Sequence, residues 1–183
     1  MEPPLRIVKG TFAGRRLTSP ADKRVRPTAE PVRDAIMELV GAELKGTKVL
    51  DLFAGTGALG LEAISRGAAI ADFVEFRPAS LHALRANIGA LRLTKKCRVY
   101  KKDAVPFVEA LKADAYDIAF VDPPYGSAVL DRVFDSWKQT PFAKLLVVEH
   151  AKDYPMPGGA LRKHFGETTV TIYRAARSEK REA

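Results

Sequence analysis

Residues 49–60, Val-Leu-Asp-Leu-Phe-Ala-Gly-Thr-Gly-Ala-Leu-Gly, decide the fold. They read as a buried strand over 49–53 that carries a carboxylate at Asp51, breaks at Gly55 and Gly57, and continues into a helix. Glycines let a backbone come close to a ligand, and the first N–H groups of a helix lack intrahelical partners and point at whatever binds there. The expected element is a nucleotide cradle. A tight strand-to-helix turn without a ligand is the plainer alternative, and a carboxylate with three glycines in one turn weighs against it.

Downstream, the pattern alternates. A helix over 57–66 closes at Gly67, and a strand over 71–76 contains Glu75, 24 residues beyond Asp51. In nucleotide-binding α/β folds a carboxylate at the end of the second strand accepts hydrogen bonds from ribose hydroxyls. Pro78 opens a helix whose buried stripe is Leu81, Leu84, Ile88 and Leu91. A third strand over 97–101 is followed by Asp103, a short helix over 105–111, and a fourth strand over 117–121 that runs into Asp122-Pro123-Pro124-Tyr125. A helix over 129–137, a strand over 145–149, a loop over 155–159 and a hairpin over 163–173 around Gly166 complete the pattern. Strands alternating with helices predict an α/β fold: a mainly parallel twisted sheet covered on both faces, ending in an antiparallel C-terminal hairpin. Asp51, Glu75, Asp103 and Asp122 then converge on the rim at the carboxyl ends of the strands, where such sheets bind ligands.

Upstream, residues 5–18 alternate loosely around Gly10 and Gly14 and predict a small hairpin standing off the main domain. The expected division is a basic N-terminal extension over 1–26 and a larger domain over 27–183. Residues 1–33 hold eight Lys or Arg against three acids, a local balance of +5 within a chain of net charge +8. Concentrated there, the charge favours contact with nucleic acid, through Arg15 and Arg16 among others. In the helix expected over 27–44, Thr28 is the N-cap, Pro31 sits in the first turn, and Val32, Ile36, Leu39 and Val40 share a face. Arg26 and Arg33 lie near its start, on a polar face that could look toward the glycine turn. A second basic cluster, Lys95, Lys96, Arg98, Lys101 and Lys102, reads as a solvated face.

The remaining composition narrows the class. The 183 residues are 46% hydrophobic and 28% charged, as in one soluble globular domain. The single cysteine, Cys97, excludes an intramolecular disulfide and reads as a small apolar strand residue, and His82 reads as a surface residue. The three histidines are too far apart to form a metal motif, so no metal is expected. No apolar run reaches signal-peptide or membrane-spanning length, which points to the cytoplasm and away from a membrane.

The chemistry is concentrated at Asp122. Two prolines after a strand remove two backbone donors and fix two φ angles, leaving a stiff loop. The Asp122 carboxylate and the Pro123 carbonyl can accept hydrogen bonds from a planar amine while Tyr125 stacks on the ring that carries it. Such contacts align the nitrogen with an electrophile in the neighbouring cradle.

The ordered set DLFAGTGALG, Glu75, Asp103 and DPPY resembles the class I methyltransferases that act on exocyclic amines with S-adenosylmethionine. With the basic N-terminal segment, RPTAEPVRDAI and VVEH, the chain is similar over most of its length to the RsmD family of 16S ribosomal RNA (guanine-N2)-methyltransferases. That resemblance implies a Rossmann-like fold and a cofactor site of Asp51, Ala54, Gly55, Thr56, Gly57, Glu75, Asp103 and Ala104. The glycine turn would hold the methionine part, Asp51 would lie near its amino group, Glu75 would bind the ribose and Asp103 the adenine amine. Asp122, Pro123 and Tyr125 would hold a flipped guanine with N2 facing the methyl group, and Arg15, Arg16, Arg26 and Arg33 would meet the substrate. Whether Arg26 and Arg33 touch cofactor, RNA or Asp122 stays open. The implied partner is ribosomal RNA in a small ribosomal subunit or assembly intermediate, bound by a monomer. The alternatives are an enzyme acting on DNA adenine, another RNA or protein glutamine; an NAD-dependent oxidoreductase, since Gly55, Gly57 and Gly60 also fit the dinucleotide fingerprint; and a non-catalytic RNA-binding assembly factor.

Overall fold

A computed structural model describes residues 4–20, 28–124 and 128–176. In chain order the elements are α1 (Glu30–Leu44), β1 (Lys48–Leu52), α2 (Ala58–Ser65), β2 (Ile70–Val74), α3 (Pro78–Ala90), β3 (Cys97–Tyr100), α4 (Ala104–Glu109), β4 (Tyr116–Val121), α5 (Val129–Gln139), β5 (Ala143–Ala151), β6 (Leu161–Phe165) and β7 (Thr168–Arg174). The strands form one seven-stranded sheet in the order β3-β2-β1-β4-β5-β7-β6. Its first five strands are parallel, and β7 pairs antiparallel with both β5 and β6. The expected α/β architecture and its C-terminal hairpin are therefore present.

Side-chain alternation divides the core in two. Val49, Phe73, Ile118, Phe120, Leu145 and Val147 face α1, α2 and α3, whereas Leu50, Leu52, Val74, Ala119, Val121, Leu146 and Val148 face α4 and α5. This period of two fixes which strand-end side chains share a face. Register pairs Asp51 with Phe73 and Phe120, and Phe120 with Val147. Two residues farther along, Glu75, Asp122 and Glu149 therefore stand in one row on the α1–α3 face, one step beyond Asp51.

Two local expectations are overturned. The hairpin around residues 6 and 16 does not stand off the domain: Ile7 and Leu17 are buried in the α1–α3 core. Its backbone is seated on α2, where the Glu62 carboxylate accepts the N–H groups of Val8 (2.9 Å) and Lys9 (3.0 Å) and the Ser65 hydroxyl accepts that of Phe12 (3.0 Å). These bonds answer backbone donors that a detached arm would leave to water. Thr28 is not the N-cap of α1 either. That position belongs to Ala29, which makes no side-chain cap bond, and the Thr28 hydroxyl is used elsewhere.

Candidate active site

The glycine turn is set by backbone geometry and by packing. Gly57, at the N-cap of α2, has φ +80°, and a Cβ on it would meet Leu84 Cδ1 at 2.4 Å. At Gly60 the close approach is to Phe73, 2.4 Å from where a Cβ would lie. Phe53, at φ 60°, also takes the left-handed conformation, a strained choice for a bulky residue that recurs at ligand sites. Ala54 is buried and its carbonyl accepts the Gly57 N–H at 2.7 Å. Thr56 is buried, and its carbonyl accepts Asn87 Nδ2 at 3.0 Å. Asn87 also exchanges bonds with the backbone of Thr18, so one side chain ties the end of the hairpin to the turn.

Two carboxylates hold this turn from below. Asp51 Oδ2 accepts the Gly60 N–H at 2.9 Å from a nearly enclosed position. Burial pushes the Asp51 carboxyl well above the usual range, the charges of Asp122 and Glu75 push the same way, and the Gly60 bond opposes them. Glu75 accepts Gly55 N–H through Oε2 at 2.9 Å, and the N–H groups of Phe76 and Arg77 through Oε1, each at 2.8 Å. It thereby joins the turn to the β2 end, beside which the Phe76 ring stands 52% exposed. The β3 end is tied in by the Glu75 N–H to the Tyr100 carbonyl (3.1 Å). Asp103, just beyond β3, is exposed and caps α4 by accepting the Val105 N–H at 3.2 Å, and Ala104 is buried at the start of that helix.

Across the rim, Asp122 leaves β4 half-buried and accepts the Thr28 hydroxyl on Oδ2 at 2.9 Å. Burial raises its pKa and the Thr28 bond works against the rise. Pro123 is buried directly after it, while Tyr125 and Arg26 lie outside the described residues. Asp51, Glu75 and Asp122 thus share one rim and one face, with the glycine turn beside them. Arg15 and Arg16 are exposed on the hairpin, and Arg15 Nη2 donates to the Ala90 carbonyl at 2.9 Å.

Arg33 requires a correction. Its side chain is 0% exposed and lies 3.5 Å from the equally buried Glu62 carboxylate. Nη1 donates to the Thr28 carbonyl at 3.2 Å and Nη2 to the Arg6 carbonyl. Enclosed among these acceptors, it cannot reach a substrate. Its contribution is to hold Thr28, whose hydroxyl meets Asp122.

Sequence reasoning also missed Glu149 as a site residue. It lies near the end of β5, on the same face as Leu145 and Val147, with Asp122 the neighbouring carboxylate in the row. Its signal was an acid placed two residues beyond an inward-facing strand residue, the same signal that marked Asp51. Burial and the charge of Asp122 raise the Glu149 pKa. Thr28 carried no signal, because its partner is 94 positions away.

The residues of the turn fit an adenosyl-amino-acid cofactor. Gly55 and Gly57, both at positive φ, turn the backbone sharply at the strand end, Asp51 and Glu75 fix that turn by accepting the Gly60 and Gly55 N–H groups, and an exposed aromatic ring flanks it.

The family described as "Conserved hypothetical protein 95" matches residues 5–174. The chain is 32% identical to YlbH of Bacillus subtilis, over 93% of this chain and 98% of that protein. It is 36% identical to ribosomal RNA small subunit methyltransferase D of Escherichia coli, over 72% of this chain and 65% of that protein. Among solved structures, yhhF of E. coli superimposes with a TM-score of 0.81 at 30% identity, covering 94% of this chain and 98% of that one.

Proposed function

We propose that this chain, which belongs to the RsmD family, transfers a methyl group from S-adenosylmethionine to the exocyclic N2 amine of a guanine in small-subunit ribosomal RNA. The carrying observation is the placement of Asp122 and Pro123 on the same rim as the turn held by Asp51 and Glu75. A methyl-donor half and an amine-acceptor half then face each other. The ribosomal RNA target is supported by the name of the E. coli relative.

S-adenosylmethionine, when bound, supplies an electrophilic methyl group. Asp51, Ala54, Gly55, Thr56, Gly57, Glu75, Asp103 and Ala104 would hold it. On the acceptor side, Asp122 accepts an N–H of the amine and the Pro123 carbonyl a second one, which fixes the nitrogen lone pair toward the turn. Positive charge develops on that nitrogen as it attacks, and the Asp122 carboxylate stabilises it without reorganising, because Thr28 already orients the acid. No strong base is required, since a methylated aminium releases its proton readily. A target base must leave its stack at a cost of a few kcal/mol, which phosphate contacts by Arg15 and Arg16 on the hairpin offset.

The test offers labelled cofactor to small ribosomal subunits, free ribosomal RNA, DNA and protein. Label in ribosomal RNA, alone or within the subunit, is the expected result. Label confined to DNA or protein, or calorimetric binding of NAD with none of S-adenosylmethionine, would overturn the reading.

A further inference from the structure

Three groups at the acceptor rim come from distant parts of the chain. Asp122 ends β4, Glu149 lies near the end of β5, and Thr28 precedes α1 with its carbonyl held by Arg33. Thr28 has one hydroxyl hydrogen, and it is donated to Asp122 Oδ2 at 2.9 Å. The same hydroxyl faces Glu149. Glu149 is 7% exposed, and its Oε2 is buried without a hydrogen-bond partner among the described residues.

An ionised carboxylate in that position would be costly. One of its oxygens has no donor among the described residues, the Thr28 hydroxyl proton is already given to Asp122, and a second carboxylate stands beside it. A protonated carboxyl removes the repulsion and supplies the donor that the cluster lacks. Its O–H can meet the Thr28 oxygen, whose own O–H is turned to Asp122, so that the bonds run in one direction from Glu149 through Thr28 to Asp122.

We propose that Glu149 is a positioning residue for methyl transfer: at neutral pH it holds the one carboxyl proton of a Glu149–Thr28–Asp122 unit and so keeps Asp122 as the ionised, oriented acceptor of the substrate amine. The reaction-linked part of this assignment rests on the methyltransferase reading above, whereas the location of the proton does not. The other groups around Glu149 leave the arrangement intact. His150, next in the strand, has its ring occupied by the Ala151 carbonyl and the Thr171 hydroxyl, β7 presents the apolar Val170 opposite Glu149, and Arg33 acts only through the Thr28 carbonyl. The protons belong to the pair as a unit and leave in two steps. In the second, ionised Glu149 competes with Asp122 for the Thr28 hydroxyl.

The test has two arms. A carboxyl-carbon NMR titration of the free protein, assigned by comparison with Glu149→Gln, needs no substrate; Glu149 protonated at neutral pH is expected, and an ionised Glu149 overturns the proposal. The second arm compares kcat, KM and the pH profile of the wild type, Glu149→Ala and Glu149→Gln. Loss of the hydrogen bond between the neutral Glu149 carboxyl and the Thr28 hydroxyl predicts a fall in kcat of about twofold to tenfold for Glu149→Ala, with cofactor KM unchanged. Glu149→Gln, whose amide can donate to Thr28 but cannot ionise, is expected to rescue most of that loss and to remove the decline of kcat at high pH. Equal kcat values and pH profiles for the three proteins overturn the proposal while leaving the methyltransferase reading standing. A wild type that methylates no substrate overturns the functional reading and the catalytic half of this proposal, and the NMR arm still decides where the proton resides.

Discussion

Replacing Glu62 with Ala removes the carboxylate that seats the hairpin and balances Arg33. The Glu62 and Arg33 side chains are both 0% exposed and 3.5 Å apart. Glu62 also accepts Arg66 Nε at 2.9 Å and Nη2 at 2.8 Å, together with the N–H groups of Val8 and Lys9. Without it, the Arg33 cation stays buried and unpaired, at a cost of roughly 3–5 kcal/mol. The two hairpin amides face a choice. Left in place they cost about 1–3 kcal/mol each; if the hairpin lifts away they are hydrated, but Ile7 and Leu17 are exposed at a cost on the order of 1.5–3 kcal/mol each. Relaxation takes the cheaper route, about 2–6 kcal/mol for the hairpin, so with the Arg33 cost the expected net loss is at least about 5 kcal/mol, a large part of a typical domain stability of about 5–15 kcal/mol. Urea unfolding monitored by circular dichroism measures it, and hydrogen exchange at Val8 and Lys9 reports whether the hairpin has lifted. Glu38→Ala is the control. Its carboxylate meets Lys9 at 2.8 Å and Arg66 at 3.4 Å at the surface, and such exposed pairs contribute less than about 1 kcal/mol. A Glu62→Ala loss no larger than that of Glu38→Ala would refute the reasoning, as would unchanged exchange at both hairpin amides together with a small loss.

Three further outcomes are expected. Asp122→Asn should keep cofactor affinity in calorimetry while kcat falls by about a hundredfold or more, since the amide cannot stabilise developing positive charge as a carboxylate does; a kcat within a few-fold of wild type would remove the acid from the reaction. Neutralising Arg15 and Arg16 together should raise KM for RNA and make the dependence of log KM on log salt shallower by up to about 2, one for each phosphate left without its arginine, and an unchanged slope would make them solvated charges. The third concerns pH: because the folded pKa of Asp51 is raised, folded protein retains a proton that the unfolded chain releases above about pH 4. The contribution of this group to stability is therefore complete below that value and is lost as pH rises through the folded pKa. Asp51→Asn, neutral throughout, should gain stability relative to wild type across that window in pH-dependent melting, and a stability difference that does not change with pH would contradict the burial argument.

The sheet and most of the site were legible because both depend on local pattern. Alternation in the strands set the faces, and acids at strand ends stood out against apolar runs, which is how Asp51, Glu75 and Asp122 were identified. What escaped was pairing between distant residues. Arg33 reads as one more cation in a basic segment, and Glu62 as a lone acid in the apolar helix ALGLEAIS; only the fold puts each inside the other's reach. Thr28 before a proline-containing first turn has the features of an N-cap, and its hydroxyl is claimed by Asp122 on another element. Glu149 carried the same strand-end signal as the other acids, but the proline and glycine loop after β5 begins only at Pro155, six positions on, too far along to mark it.

The proposed reaction joins a methyl donor to the N2 amine of guanine at the rim formed by Asp51, Glu75 and Asp122. Its most direct test is to treat small-subunit ribosomal RNA, free or in the subunit, with the protein and labelled S-adenosylmethionine, digest it to nucleosides and identify the labelled product by mass spectrometry. The expected product is N2-methylguanosine at a single position, abolished in Asp122→Ala; label in N6-methyladenosine or in a methylated ribose would contradict the proposed reaction.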